Sequence, residues 1–299
     1  MDARQLEYFL AVVEHGGFGR AAAALHIAQP SLSQAIAHLE ADLGVPLFHR
    51  VGRGVVLSEA GAELLGPSRQ VLRDLAAVRD TAAALTGLAR GAVEVACMPS
   101  PGVEPLATLI RRCARRYPEL TVVARAAFTP DEVVRMVRTG ASELGLLGSD
   151  APVDAPGLDV LPLEEQPFVV VAAPGGAFRD GVPVAPGDLA GQRLVVSRPG
   201  SLMRRIVDDI VDGRGARIAA VVDHRTSLLP LVLSGTGIAV LPSAWAPLAR
   251  RCGAVAAPVT PTALLRVALV GRRAHLTPAA RAFRRIAEEH AAGSGAETD

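Results

Sequence analysis

Apolar residues at helical spacing mark the segment from residue 30 to residue 44. They recur four, three and four positions apart and so line one face of a helix: Leu32, Ile36, Leu39 and Leu43. Pro30 suits the first helical position, where its missing N–H is not needed, and Gly44 suits the residue just past the end. The opposite face carries short polar and small side chains, namely Ser31, Gln34, Ala35 and His38. A face of this kind can enter the major groove of DNA and touch base edges.

Two further helical segments precede this one. An apolar stripe near the N-terminus ends at a pair of glycines, and its members are Leu6, Phe9, Leu10 and Val13. Residues 21–24 are four alanines, which are small enough to let neighbouring helices pack closely. Three helices with a tight turn before the last have the layout of a DNA-binding helix-turn-helix. The spacing alone also fits an ordinary helical hairpin whose outer face is solvated.

The segment after this helix, PLFHRVGRGVVLS, predicts a wing. Leu47 and Phe48 are apolar anchors, two glycines mark a turn, and residues 55–57 can return as a short strand. The wing would present Arg50 and Arg53 to phosphates or to a minor groove. In an equally good alternative, Arg50 pairs with Glu40 and holds the wing against the helix.

A long helical segment follows from residue 59 to about residue 88. Ser58 can cap it, and Glu59 is favourable in its first turn. Its apolar residues cover more surface than one isolated helix can hide, and Pro67 is a candidate kink. This excess favours a dimerisation helix; packing against the rest of the same chain is the alternative.

From residue 91 onward, short apolar strands alternate with helices. Strands at 93–98, 120–126 and 143–148 enclose helices at 103–116 and 129–139, which is a βαβαβ order and predicts a parallel sheet. A second set follows, with strands at 168–174, 194–197, 218–222 and 238–242 and helices at 203–211 and 227–233. A strand at 266–271 and a helix at 278–290 would return to the first set. The pattern predicts two α/β lobes joined by two crossings.

Residues 1–61 resemble the winged domain of LysR-type transcriptional regulators. The resemblance lies in LEYFLAVVEHGGFGRAAAALHIAQPSLSQAIAHLEADLGVPLFHR, followed by LSEAG. Two departures matter: Ala28 stands where many members have a capping serine, and Gln34, Ala35 and Ala37 stand where many have longer polar residues. The resemblance implies DNA contacts from Arg20, Gln29, Pro30, Ser31, Ser33, Gln34, His38, Arg50 and Arg53.

The layout of the whole chain is similar to the same family. It implies an α/β protein with an N-terminal winged helix-turn-helix, a long linker helix and a C-terminal two-lobed effector domain resembling periplasmic solute-binding proteins. We predict the winged domain at 1–58, the linker and dimerisation helix at 59–89 and the effector domain at 90–299. The first lobe would take 91–161 and 266–292, and the second 162–265. Effector binding would then close the lobes and change the spacing of the winged domains.

Several predicted helix starts lie beyond the carboxyl ends of strands, where ligands of α/β sheets bind. Their free N–H groups favour an anion, and Thr129 with Glu132 forms a capping-box pattern. By analogy with the family, the candidate effector contacts are Ser100, Thr129, Ser149, Ser197, Arg198 and Thr226. Arg198 could pair with a carboxylate, so we expect a small organic acid as the effector.

The charge balance does not by itself indicate nucleic acid. The first 61 residues hold four arginines against six acidic residues, a net of −2 with histidines neutral, and lack the usual cationic patch. We therefore expect two or more copies to bind DNA together. The predicted partners are double-stranded DNA, a small-molecule effector and further copies in a homodimer or homotetramer, with RNA polymerase as a further candidate. No cofactor, metal or catalytic residue is predicted.

Other function classes find little support. No apolar run reaches membrane-spanning length, and MDARQLEYF is not a signal peptide, so we expect a cytoplasmic protein without membrane contact. The nucleotide-binding and hydrolase motifs are absent, which disfavours an enzyme. A transport receptor is disfavoured by the missing signal peptide and the extra N-terminal domain. Peroxide-sensing family members use a cysteine pair late in the effector domain, where only Cys252 lies, so a thiol switch is disfavoured.

Overall fold

Three helices and a two-stranded wing form the N-terminal unit. The computed structural model describes residues 1–51, 54–85, 91–211, 215–261, 263–273 and 276–295. The unit comprises α1 (Ala3–Glu14), α2 (Phe18–Ala24), α3 (Gln29–Leu43) and the antiparallel strands β1 (Phe48–Val51) and β2 (Gly54–Leu57). The apolar stripe of α3 is buried at Leu32, Ile36 and Leu39, as predicted. The helix ends at Gly44, whose φ of 71° places it in the left-handed region.

One continuous helix, α4 (Glu59–Leu85), runs through Pro67. Its predicted cap is confirmed, because Ser58 Oγ accepts a hydrogen bond from the Gly61 amide at 2.9 Å. Part of its apolar surface is exposed in the single chain, at Val71, Leu75 and Val78. In the described ranges, no helix is long and apolar enough to cross a bilayer.

The first lobe has the predicted βαβαβ order. It contains β3 (Gly91–Cys97), α5 (Pro99–Val103), α6 (Leu106–Arg116), β4 (Leu120–Ala126), α7 (Pro130–Arg138) and β5 (Leu144–Ser149), with β3 parallel to both β4 and β5. The single helix predicted at 103–116 is wrong at its start, because Glu104 is extended and separates α5 from α6. A residue before proline is disfavoured in helical geometry, and Pro105 imposes this break.

The second lobe shares its longest strand with the first. The chain continues through β6 (Leu158–Ala172), β7 (Arg193–Ser197), α8 (Leu202–Val211), β8 (Arg217–Val222), α9 (Leu228–Leu233), β9 (Ala239–Pro242), α10 (Ala246–Arg251), β10 (Val255–Pro258), β11 (Leu264–Arg272) and α11 (Pro278–Gly295). The first part of β6 pairs with β11, and its last part pairs with β9 and β10. The order β10-β6-β11-β5-β3-β4 therefore links the lobes.

The first half of β6 was not predicted from the sequence. Pro162 and Pro167 interrupt the apolar pattern, and proline is rare inside strands. The register with β11 shifts between Val267 and Ala268, which leaves Leu163 as an extra residue at a bulge beside Pro162. Strand β6 crosses the predicted division between the lobes, at residues 161 and 162, without a break. The domain boundaries remain predictions.

Candidate functional site

The outer face of α3 is open to solvent. Gln29, Pro30, Ser31, Gln34 and His38 are exposed, and Ser33 is half-buried. The helix starts at Gln29, one residue earlier than predicted, and its N-cap Ala28 makes no side-chain hydrogen bond. The first amides of α3 are therefore left without a side-chain acceptor, which suits a phosphate.

Two side chains form hydrogen bonds with the backbone of the segments that flank α3. The guanidinium of Arg20 donates to the carbonyls of His15 and Gly16, and so stabilises the turn between α1 and α2. Glu40 Oε1 accepts from the amides of Leu47 at 2.7 Å and Phe48 at 3.2 Å, which ties the wing to α3. The carboxylate thus reaches the wing through its backbone.

Two of the predicted DNA contacts belong to the wing. Arg53 and the side chain of Arg50 lie outside the described residues. The DNA contact of each, and the alternative pairing of Arg50 with Glu40, remain predictions.

The effector candidates gather at the carboxyl ends of parallel strands. Ser100 follows β3, Thr129 follows β4, and Ser149 ends β5 in the first lobe. In the second lobe, β7 and β8 are parallel neighbours; Ser197 ends β7, and Arg225 and Thr226 follow β8. Open α/β sheets bind their ligands at these ends.

A buried arginine connects the two lobes at this edge. Arg225 Nη1 donates to Ser100 Oγ at 2.9 Å, and the two residues are 9% and 1% exposed. Burial lowers the pKa of Arg225 to about 10, because desolvation penalises the charged form. Among the described residues, no carboxylate pairs with this guanidinium. Arg225 was not predicted from the sequence; its place three residues beyond an apolar strand was the available signal.

The hydroxyls of Thr129 and Ser149 already accept hydrogen bonds from the backbone. Thr129 Oγ1 accepts from the Glu132 amide at 3.2 Å, which confirms the N-cap. The predicted capping box is shifted, because Glu132 Oε2 accepts from Phe128 N at 2.8 Å. Ser149 Oγ accepts from Ala151 N at 3.2 Å. Since each oxygen accepts, each hydroxyl proton can be donated to a ligand.

Three buried polar side-chain atoms of residues 162–265 have no partner in the described part of the chain: Gln166 Oε1, on the shared strand β6, and Ser197 Oγ and Trp245 Nε1. The last two lie on residues that are 6% and 5% exposed. Buried polar groups normally form hydrogen bonds, so these atoms suit a bound molecule. Arg198 and Thr226 are exposed, and their predicted contacts stay predictions.

The cysteines do not form a reactive pair. Cys97 and Cys113 are buried in the first lobe, whereas Cys252 is exposed in the second. Burial raises the pKa of Cys97 to about 12 and that of Cys113 to about 11, which keeps both as unreactive thiols. Within the described ranges, no cluster of His, Cys, Asp or Glu is placed to hold a metal ion.

Comparisons with known proteins agree with this architecture. The family model for a bacterial regulatory helix-turn-helix protein, lysR family, matches residues 3–62, and the LysR substrate binding domain model matches residues 86–292. The chain is 34% identical over 243 residues to a probable hydrogen peroxide-inducible genes activator of Streptomyces viridosporus, covering 80% of this chain and 76% of that protein. It is 30% identical over 248 residues to the HTH-type transcriptional activator IlvY of Salmonella typhimurium, covering 81% and 82%.

A solved structure extends the similarity to nearly the whole chain. Full-length CbnR complexed with its target DNA superposes with a TM-score of 0.67 at 26% identity, covering 97% of this chain and 100% of that chain. LysR-type regulators bind DNA and small-molecule effectors, oligomerise, and are not enzymes. The two family models together span most of the sequence. The chain therefore belongs to the LysR family of bacterial transcriptional regulators.

Proposed function

We propose that a small organic acid, bound between the two lobes, switches this DNA-binding regulator. The proposal rests on the buried guanidinium of Arg225, whose described side-chain partner is the neutral hydroxyl of Ser100. A buried cation without an anion is costly. A carboxylate would offset that cost through charge-assisted hydrogen bonds. We assign Arg225 as the main anchor of the acid, alongside the predicted contact from Arg198.

The neighbouring hydroxyls support an oxygen-rich ligand. Ser100 accepts from Arg225, so its own proton can be donated to a carboxylate held by the same guanidinium. Thr129 and Ser149 also have a proton to donate, and Ser197 Oγ and Trp245 Nε1 are buried without partners in the described residues. Together these donors suit a ligand that carries a carboxylate and a further polar group.

The predicted domain division completes this proposal. The winged domain at 1–58 would read DNA, the helix at 59–89 would pair two chains, and the effector domain at 90–299 would bind the acid. A homotetramer in the cytoplasm would place its winged domains on half-sites about one helical turn of DNA apart, or a multiple of one turn. RNA polymerase is the further partner that we propose.

Calorimetry with short aliphatic and aromatic carboxylates tests the acid. We expect at least one carboxylate to bind, and Arg225→Met to weaken it by about 100-fold, because a hydrogen-bonded charge pair is lost. Arg250→Met is the matched control, since Arg250 is an exposed arginine of the second lobe that pairs with Asp180 at 2.8 Å. Binding of a cationic or apolar compound, with no response to any carboxylate, would contradict the proposal.

Footprinting on the DNA around its own gene tests the reading face. Glutamate at Ser31, Gln34 and His38 together would repel phosphates and fill the groove, so the footprint should disappear. Unchanged circular dichroism and unchanged carboxylate binding would show that the variant is folded. Promoter occupancy equal to that of the wild type would exclude this face.

Peroxide is the second candidate signal, because one relative is named as a probable peroxide-inducible activator. The two buried thiols, with pKa values of about 12 and 11, do not support it. Hydrogen peroxide should therefore leave the footprint unchanged, both in the wild type and in Cys252→Ser. A peroxide response that is lost in Cys252→Ser would favour a thiol signal over the acid.

A further inference from the structure

Helix α7 lies between the effector cleft and the linker helix α4. Its N-cap is Thr129, at the carboxyl end of β4 beside the proposed ligand. Its other end reaches α4, where Arg69 Nη1 donates to the Thr139 carbonyl at 3.1 Å and Arg73 Nη1 to the Gly140 carbonyl at 2.5 Å. Nine helical residues span about 13 Å, so one short helix separates the two sites.

The contact at the end of α7 is close and chemically matched. The last carbonyls of a helix lack intrahelical partners and form the negative end of its dipole, and two guanidiniums from α4 meet that need. A Cβ at Gly140, whose φ is 64°, would lie 2.8 Å from Arg73 Nη2. A Cβ at Gly66 of α4 would lie 3.6 Å from the Arg138 carbonyl. The two glycines thus allow the helices to approach.

Further hydrogen bonds hold α4 on the first lobe. Gln70 Oε1 accepts from Arg73 Nη2 at 3.1 Å and from Arg272 Nη2 of β11 at 2.6 Å. The bond from Arg272 therefore joins α4 to β11, in addition to the bonds from Arg69 and Arg73 to the end of α7.

Helix α7 rests directly on the sheet. A Cβ at Gly145 of β5 would lie 2.3 Å from a methyl carbon of Val133 and 3.0 Å from one of Val137, and both valines are fully buried. Such close packing leaves little room for bending. A displacement at one end of α7 therefore moves its other end.

We propose that α7 transmits the effector signal to the linker helix. A ligand that draws on the Thr129 hydroxyl would shift α7, and the Thr139 and Gly140 carbonyls would pass that shift to Arg69 and Arg73. The linker helix, and the winged domains beyond it, would then change position. This inference rests on the proposed effector site for its input, but the link between α7 and α4 does not require the ligand to be an acid.

Hydrogen exchange of the ligand-free full-length chain tests the link. Thr129→Val removes the N-cap oxygen and should speed the exchange of α7 amides by about fivefold. We expect the α4 amides at 66–73 also to exchange about twofold to fivefold faster. In the double variant Arg69→Met with Arg73→Met, Thr129→Val should have no further effect on α4. Substitutions at distant sites normally have additive effects. Loss of the Thr129→Val effect in the double variant would therefore show that the effect reaches α4 through Arg69 and Arg73.

Two controls separate transmission from damage to the fold. Thr129→Ser keeps the capping oxygen and should restore wild-type exchange in α4. Arg135→Gln changes an exposed arginine of α7 itself, 68% exposed at its side chain, and should leave α4 unchanged. If the double arginine variant does not fold, Arg73→Lys, which keeps the charge but cannot make both bonds of Arg73, takes its place.

The proposal is overturned if Thr129→Val leaves α4 exchange unchanged in the wild type, or changes it equally with and without the two arginines. Neither outcome affects the calorimetric test with carboxylates. A chain that binds no acid still gives a clear result here. Failure of the transmission link and failure of the proposed effector are therefore distinguishable.

Discussion

Arg73, which is half-buried, and Arg225, which is buried, show how the same side chain meets two different environments in this molecule. Burial lowers the pKa of both Arg73 and Arg225 to about 10. Arg73 donates to the Gly140 carbonyl and to Gln70, and Glu143 lies near enough to favour its charge. Arg225, in the described part of the chain, donates to the hydroxyl of Ser100. Nη1 and Nη2 of Arg73 thus have protein acceptors, although its Nε has none among the described residues, whereas the described side-chain partner of Arg225 is one neutral hydroxyl.

The difference shows how to distinguish a charged side chain that stabilises the fold from one that is available to bind a ligand. A charge that is buried among hydrogen-bond acceptors stabilises the contact that it makes, and its removal leaves those acceptors unsatisfied. A charge that is buried beside a single neutral hydroxyl is a cost to the folded state until a ligand arrives. We therefore expect replacement of the two arginines to have different effects on the free energy of unfolding of the ligand-free protein.

The largest effect is expected when Arg73 is replaced by methionine, and Arg225→Met is the contrasting variant. Arg73→Met should lower the free energy of unfolding by about 3 kcal/mol, since Gly140 and Gln70 lose a hydrogen-bond donor and Glu143 loses a favourable positive charge. Arg225→Met should be neutral or stabilising, because a poorly paired buried ion is replaced by an apolar side chain. Urea unfolding of the ligand-free protein measures both. An equal loss in the two variants would remove the distinction between them.

The sequence predicted the elements whose signals are local. The stripe of Leu32, Ile36 and Leu39 gave α3, and alternating apolar runs gave the parallel strands β3, β4 and β5. The break before α6 and the first half of β6 were missed, because prolines at 105 and 162 changed the local pattern. Local periodicity is therefore a sound guide here except beside proline.

The candidate site was only partly predictable, because its chemistry depends on distant pairing. Ser100 and Arg225 are 125 residues apart in the chain, and Arg73 and Gly140 are 67 apart. Arg198 is the carboxylate partner predicted from the sequence, yet it is exposed while Arg225 is buried. No local pattern separates these two arginines; only the packing of one lobe against the other does.

A side chain added at Gly140 tests how firmly Arg73 is held in its contact. Gly140→Ala adds a methyl group 2.8 Å from Arg73 Nη2 at a positive φ, so it should cost about 2 kcal/mol of unfolding free energy. Gly157→Ala is the matched control: its φ is 81°, but nothing lies within 4 Å of the added carbon. It should cost about 1 kcal/mol from backbone strain alone. Equal losses would mean that Arg73 moves aside freely.

The smallest effect concerns the pH dependence of Glu143. Burial raises the pKa of this carboxyl above its ordinary value of 4.5, although hydrogen bonds from Thr277 and the charges of Arg73 and Arg272 act in the opposite direction. The folded protein then binds this proton more tightly than the unfolded chain. The resulting stability is fully present below pH 4.5 and is lost as the pH rises through the raised pKa.

Glu143→Gln isolates this contribution, because glutamine does not titrate. The unfolding free energy of the wild type, relative to that variant, should fall as the pH rises from 4 through the raised pKa of Glu143. Arg73→Met should raise the pKa of Glu143 further and move the loss to higher pH, whereas Arg225→Met should leave it in place. Urea unfolding across this pH range compares the four proteins. If Arg225→Met shifted the pH dependence of stability by as much as Arg73→Met does, Glu143 would interact with Arg225 as strongly as with Arg73. The two arginine sites would then be electrostatically coupled.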